Sequence, residues 1–279
     1  MCRHLAWLGR PRTLAELMLD GPHSLLVQSY APREQRYGTV NADGFGVAWY
    51  SRARPEPARY RRAQPIWTDA SFASLAGVVF SGCVLAAVRS ATPGTPVEET
   101  ATPPFAAGRW SFSHNGALAD PAGSLAGLRS RLPAAAAAAV ESSVDSALLW
   151  ALLRHRLSSG EPPAEAMAGV IADVTEVTTG RLNLLATDGE QVVATRWGDT
   201  LYLRVDADGV LVASEPGALP AAASRGADVD PASGGWQPVP EASVLVVSGR
   251  EVSITPLPAS SAGQPPSRTP QPLDQGAHR

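Results

Sequence analysis

The apolar period of the chain switches from two to 3.6 and back to two, and this order decides which elements must share a core. Residues 2–8, 46–50 and 84–88 are short apolar runs of strand length, and residues 110–114 alternate in the manner of a half-buried strand. A short helical pattern over residues 12–20 interrupts them. The middle is helical: residues 121–132, the alanine run from Ala134, residues 145–156 with Leu148, Leu149, Leu152 and Leu153 on one stripe, and residues 164–174. Ser142 and Ser143 stand where they can cap the third of these. Three hairpins follow. Residues 182–187 and 192–197 flank Asp188-Gly189, residues 201–205 and 210–214 flank Asp206-Ala207-Asp208-Gly209, and residues 244–248 and 252–255 flank Gly249-Arg250. Strands, then helices, then hairpins predict an α+β fold with antiparallel sheets. Residues 2–257 read as one domain. Residues 258–279 turn to Pro, Ser, Gln and Gly and are expected to be a disordered tail, with a mobile surface loop at 218–235.

Composition removes several classes of function. A net charge of −3 argues against a phosphate-tracking surface, so no nucleic-acid partner is expected. Every basic residue is arginine, and the absence of lysine removes Schiff-base chemistry. The apolar stretches fall short of the ~20 residues of a membrane span, and no membrane partner is expected. Two cysteines, Cys2 and Cys83, cannot build a disulfide scaffold or a Cys-rich zinc site. The histidines lack metal-ligand spacing, so neither metal nor cofactor is expected. The first residues lack the apolar core of a secretory signal, which points to a reducing, cytoplasmic setting. Cys83, beside an apolar run, reads as an inert buried thiol.

Cys2 stands apart by position. An average cysteine is a small apolar core residue. At position 2, loss of the initiator Met1 would leave it with a thiol and a free amine on one residue. An α-amine titrates at ~7.7–8.0, so it can take a proton near neutrality and serve as the base for its own thiol.

Four further motifs bear on this chemistry. Asn41-Ala42-Asp43-Gly44-Phe45-Gly46 is a glycine-rich turn into a strand, without the helix a phosphate loop requires. Arg89, with Ser90 and Thr92, ends a buried strand; its guanidinium suits either a structural ion pair or a bound carboxylate. Asn115 offers a side-chain amide and Gly116 an unobstructed N–H, which make either a turn or an oxyanion hole. Asp145 opens a helix, where it serves the helix dipole or an ammonium. His114 reads as a strand-end residue that shapes the Asn115-Gly116 turn.

The order and spacing of these motifs behind Cys2 resemble the class II glutamine amidotransferases of the N-terminal nucleophile hydrolase superfamily. The motif-bearing likeness runs from Cys2 to about Asp145. The Met-Cys-Arg-His-Leu-Ala-Trp start, together with a stand-alone length, is most similar to the γ-glutamyl-hercynylcysteine sulfoxide hydrolases of ergothioneine biosynthesis. The resemblance implies a four-layer αββα sandwich of two antiparallel sheets. It also implies roles: Cys2 as nucleophile, Asn115 and Gly116 as oxyanion hole, Arg89 for the glutamyl carboxylate and Asp145 for its ammonium, with Ser90 and Thr92 lining the same pocket. The family's usual Cys-Gly-Ile start is replaced by Cys2-Arg3-His4, and its Ser-Asp-Thr-Glu by Val144-Asp145-Ser146-Ala147. The implied activity is hydrolysis of a small γ-glutamyl amide. Two rival readings are a glutaminase subunit that hands ammonia to a separate synthase, and a binding module that has lost activity.

Overall fold

A computed structural model of the chain describes residues 2–217 and 235–258. Its elements, in order, are β1 (Arg3–Thr13), α1 (Leu14–Met18), α2 (Leu25–Tyr30), β2 (Phe45–Ser51), β3 (Arg54–Arg62), α3 (Ala70–Ala76), β4 (Phe80–Val88), β5 (Phe105–Ala107) and β6 (Trp110–Leu118). Four helices follow: α4 (Pro121–Arg129), α5 (Ala134–Ala138), α6 (Asp145–Ser158) and α7 (Pro163–Val177). Strands close the chain: β7 (Gly180–Thr187), β8 (Gln191–Arg196), β9 (Tyr202–Val205), β10 (Gly209–Ala213), β11 (Trp236–Pro238), β12 (Ser243–Ser248) and β13 (Glu251–Pro256).

The strands form two antiparallel sheets. One runs β11-β9-β10-β1-β4-β2-β3, the other β13-β12-β8-β7-β6-β5. Period-2 alternation assigns each strand's side chains to two different cores. On β1, Leu5 and Trp7 pack with Leu14, Met18, Leu25 and Phe72 under the N-terminal helices, whereas Ala6 and Leu8 face the second sheet. On β7, Leu182, Leu184 and Ala186 pack against α6 and α7, whereas Leu185 joins the layer between the sheets. Three cores separated by two sheets give helices, sheet, sheet, helices: the expected four-layer α+β sandwich. Helix α6 is buried from Ala147 to Leu153, because α4, α5 and α7 cover the face that the sheet does not.

All three hairpins occur as expected. Three expectations need correction. Residues 12–13 are strand, not helix: Arg12 lies over Trp7 (5.0 Å) and pairs with Asp208 (3.2 Å). Helix α1 starts only after Thr13, which forms a capping box with Glu16. Ser142 does not cap α6 but bonds Glu98 (3.2 Å); Val144 occupies the cap position, where no side chain bonds the helix end. Asn115-Gly116 is neither a turn nor a strand end, because β6 runs on to Leu118 in register with β7. Five elements gave no clear sequence signal: α2, β3, α3, β5 and β11. The expected loop at 218–235 and tail at 258–279 lie outside the described residues apart from their edges.

Candidate active site

Cys2 lies just ahead of β1, half-buried, with Sγ 4.0 Å from the Ser90 carbonyl. Its own carbonyl is gripped by Arg3, whose Nη1 donates at 2.9 Å. Arg3 is fully buried and pairs through Nε with Glu215 (2.8 Å), also fully buried. The other oxygen of Glu215 accepts the N–H groups of Arg33 (2.7 Å) and Glu34 (3.0 Å) and lies 3.2 Å from His23 Nε2. A charge buried with its partner and several donors is rigid, since losing one partner leaves the other unsatisfied. This network therefore fixes the backbone that carries the Cys2 thiol.

One narrow pocket is lined by Cys2, Arg89, Ser90, Thr92, Gly116 and Asp145, joined by Thr95, Ala101, Pro103, His114, Val144 and Ser146. Arg89 follows β4 and is 5% exposed. Its guanidinium meets only neutral acceptors: the carbonyls of Pro96 (3.0 Å) and Asp43 (3.4 Å) and Thr95 Oγ1 (3.4 Å). Among the described residues no carboxylate lies within 4.0 Å of it. A buried cation without an anion suits a negatively charged guest. Asp145 lines the same pocket from the start of α6, accepting from Ser146 N (2.7 Å) and Leu118 N (3.2 Å).

Gly116 faces the pocket because of its place in the ladder. On β7, Leu182 N–H goes to the Trp197 carbonyl (2.8 Å) and Leu184 N–H to Thr195 Oγ1 (3.0 Å), both on the β8 side. The residues opposite them on β6, Gly116 and His114, thus occupy non-hydrogen-bonded positions, and their N–H groups point away from β7. Strand β5 covers that edge only between Trp110 and Phe112. A Cβ on residue 116 would collide with the Arg181 carbonyl and come within 2.6 Å of His114 Nε2.

Asn115 is the one expected site residue that does not line the pocket. It is fully buried between the sheets, its Nδ2 donating to Ser214 Oγ at 3.4 Å while its Oδ1 has no partner. Ser214 Oγ also meets the N–H and carbonyl of His4 (3.0 and 3.3 Å), so Asn115 is tied to the strand that begins beside Cys2.

A family model of class II glutamine amidotransferases matches residues 14–207. The chain belongs to the class II glutamine amidotransferases. It is 46% identical over 258 residues to the γ-glutamyl-hercynylcysteine sulfoxide hydrolase of Mycolicibacterium smegmatis, covering 92% of this chain and 100% of that one. The Mycobacterium tuberculosis protein of the same name is 43% identical over 92% of this chain and 97% of its own length. A glutamine aminotransferase class-II domain protein from Silicibacter pomeroyi shares the fold, with a TM-score of 0.65 at 22% identity over 92% of this chain and 99% of that one.

His114 lines the Cys2 pocket and Asp43 braces its wall, in places that the sequence did not assign them. His114 lies inside β6 rather than at its end. Its Nε2 faces the Arg181 carbonyl (2.9 Å), which can only accept, so that nitrogen carries the proton. Its Nδ1 meets Ser146 Oγ at 3.0 Å, which links β6 to the start of α6. Asp43 gives the glycine-rich motif its purpose: its Oδ2 accepts Ala91 N–H (2.7 Å) and its N–H bonds the Arg89 carbonyl (2.9 Å), holding residues 89–91 in place. The signal was present in Asn41-Ala42-Asp43-Gly44, but nothing local names its partner 48 residues away. Among the described residues no three His, Cys, Asp or Glu side chains converge, and no helix is long and apolar enough to cross a membrane.

Proposed function

We propose that this amidotransferase-family chain hydrolyses the γ-glutamyl amide of γ-glutamyl-hercynylcysteine sulfoxide, releasing glutamate and hercynylcysteine sulfoxide. The observation that carries the reading is the pocket itself. It joins a free thiol, a buried arginine without a carboxylate and an aspartate at a helix start, in a chain 46% identical over nearly its whole length to a hydrolase of that name. Removal of Met1 frees the Cys2 amine. That amine takes the thiol proton, and the thiolate attacks the γ-carbonyl carbon. The N–H of Gly116 receives the developing oxyanion, and Asn115, which stands between the lining residues His114 and Gly116, turns its spare Nδ2 hydrogen to the same oxygen; each such donor contributes ~10²–10³ in rate. The tetrahedral intermediate collapses as the leaving nitrogen takes the proton from the amine, leaving a γ-glutamyl thioester on Cys2. Water attacks the thioester, gives its proton to the amine and then to the thiolate, and glutamate departs. Arg89 and Asp145 hold the glutamyl carboxylate and ammonium throughout. The reading also takes the enzyme to be cytoplasmic and to need no cofactor.

The test is glutamate release from the sulfoxide and from glutamine, with intact mass recorded on the same sample. Higher kcat/KM for the sulfoxide, loss of Met1 and inactivity of Cys2→Ala are expected. Preference for glutamine would instead favour an ammonia-delivering subunit. Full turnover with Met1 retained, or by Cys2→Ala, would exclude the mechanism.

A further inference from the structure

The narrow Cys2 pocket opens, through shared walls at Ser90, Thr92 and Gly116, into a wider cleft of about 570 Å³. The size suits a small-molecule ligand rather than a lone ammonia. Among the described residues, only one charged residue lines the cleft, Arg181. It stands across from Ala117 in the β6–β7 register, one position from Gly116, on the strand face that looks between the sheets.

The guanidinium is held without being used up. Its face lies over Tyr37, 4.2 Å from the ring centroid, and its Nε lies 3.5 Å from Asp199, a residue buried behind it. Among the described residues neither Nη donates a hydrogen bond. The side chain is 13% exposed, and no described carboxylate lines the cleft with it. Stacking on one face and a backing carboxylate fix the plane of the fork, and the free edge is left for a planar anion.

We infer that Arg181 binds the carboxylate carried by the leaving amine, so that the cleft selects γ-glutamyl derivatives of α-amino acids over glutamine and simple γ-glutamyl amines. This rests on the γ-glutamyl hydrolase reading and extends it to the other side of the scissile bond. If Arg89 and Asp145 take the glutamyl end, the leaving group emerges past Gly116 towards residues 117–119 and 179–181. In a cysteine-derived leaving group the α-carboxylate is attached one carbon from the scissile nitrogen. It therefore lies near the mouth of the cleft, where Arg181 stands.

The test compares two forms of one compound: the γ-glutamyl sulfoxide with its cysteinyl carboxylate free, and the same compound with that carboxylate converted to a primary amide. Loss of one hydrogen-bonded charge contact should lower kcat/KM for the amide about 10- to 100-fold in the unaltered enzyme. In Arg181→Gln the ratio of acid to amide should collapse towards one. In Arg181→Lys, which keeps the charge and most of the stem but not the fork, it should fall to an intermediate value. Equal rates for acid and amide in the unaltered enzyme would overturn the inference without relying on any variant. So would a ratio that survives Arg181→Gln. Failure to cleave the free acid at all, in a sample lacking Met1, would remove the hydrolase reading and this inference with it.

Discussion

The guest-binding roles proposed for Arg89 and Arg181 rest on two different ways of holding the same side chain. Arg89 is buried against carbonyls and a hydroxyl, so its charge is oriented but not neutralised. Arg181 is stacked and backed, so its charge is partly shared with Asp199. Burial pushes the Asp199 carboxyl above its ordinary range, and the nearby Arg181 guanidinium opposes that rise. A lysine at position 89 keeps the charge but cannot make the two-pronged contact. Arg89→Lys should therefore lower kcat/KM for γ-glutamyl substrates by about 10- to 100-fold, mainly through KM. Steady-state kinetics with the protein's far-UV spectrum as a folding control checks it; unaltered kcat/KM would return Arg89 to a structural role. At Asp145, the loss of charge in Asp145→Asn should weaken substrates bearing the α-ammonium and spare analogues that lack it. The comparison to make is kcat/KM for both kinds of substrate in both enzymes.

At the scale of elements, the proposed mechanism rests on the open edge of β6. Gly116→Ala puts a methyl group against the Arg181 carbonyl, so the strand must shift. The expected result is a destabilisation of ~1–3 kcal/mol in urea unfolding together with a loss of kcat. Asn115→Ala should instead fold well and lower kcat more than it raises KM, because its donor acts when charge develops. An unchanged kcat would leave Asn115 as a tie to Ser214. The same strand shows what sequence can reveal. The alternation of Trp110 to Ser113 identified β6, and Asp188-Gly189 the hairpin after it, because both signals are local. The run from Asn115 onward looks like a turn, since Asn-Gly is the commonest turn pair; only pairing with β7, some 67 residues on, keeps it extended. Strand β3 was missed because Arg54, Arg59, Arg61, Arg62 and two prolines suit an edge and not an average strand. Helices α2 and α3 are too short for a period to register. Six of the seven expected site residues line one pocket, and it was the likeness of their order to the family's that grouped them, since each motif alone suits a structural role. Arg181 carried none, because an arginine beginning a strand is usually a surface residue.

Across the whole molecule, the layer between the sheets is dry enough to alter titration. His4 sits there fully buried, its Nδ1 near Ser113 Oγ (3.2 Å), and burial, with the positive fields of His114 and Arg3, pushes it down from 6.5 to about 3. Between these values the unfolded chain takes up a proton that the folded one refuses. Stability should fall as pH drops below 6.5, by up to ~1.4 kcal/mol per pH unit from this group. Urea unfolding of the native protein and His4→Gln between about pH 7.5 and 5.5 checks the sign. An identical slope in both would show that His4 is not the source. Cys83, 3% exposed beside Thr187, has its thiol pushed up to about 12 by burial. One thiol should therefore react in the folded protein and both only after unfolding. The central position of β1 adds a matter of time. Leu5 pairs with Ala213, and Arg3 with Glu215, so the strand behind Cys2 cannot be clasped on both sides until more than two hundred residues have been made. At 5–20 residues per second that is an interval of ~10–40 s on the ribosome. During it the segment around Cys2 is uncovered, and afterwards the fold closes round it.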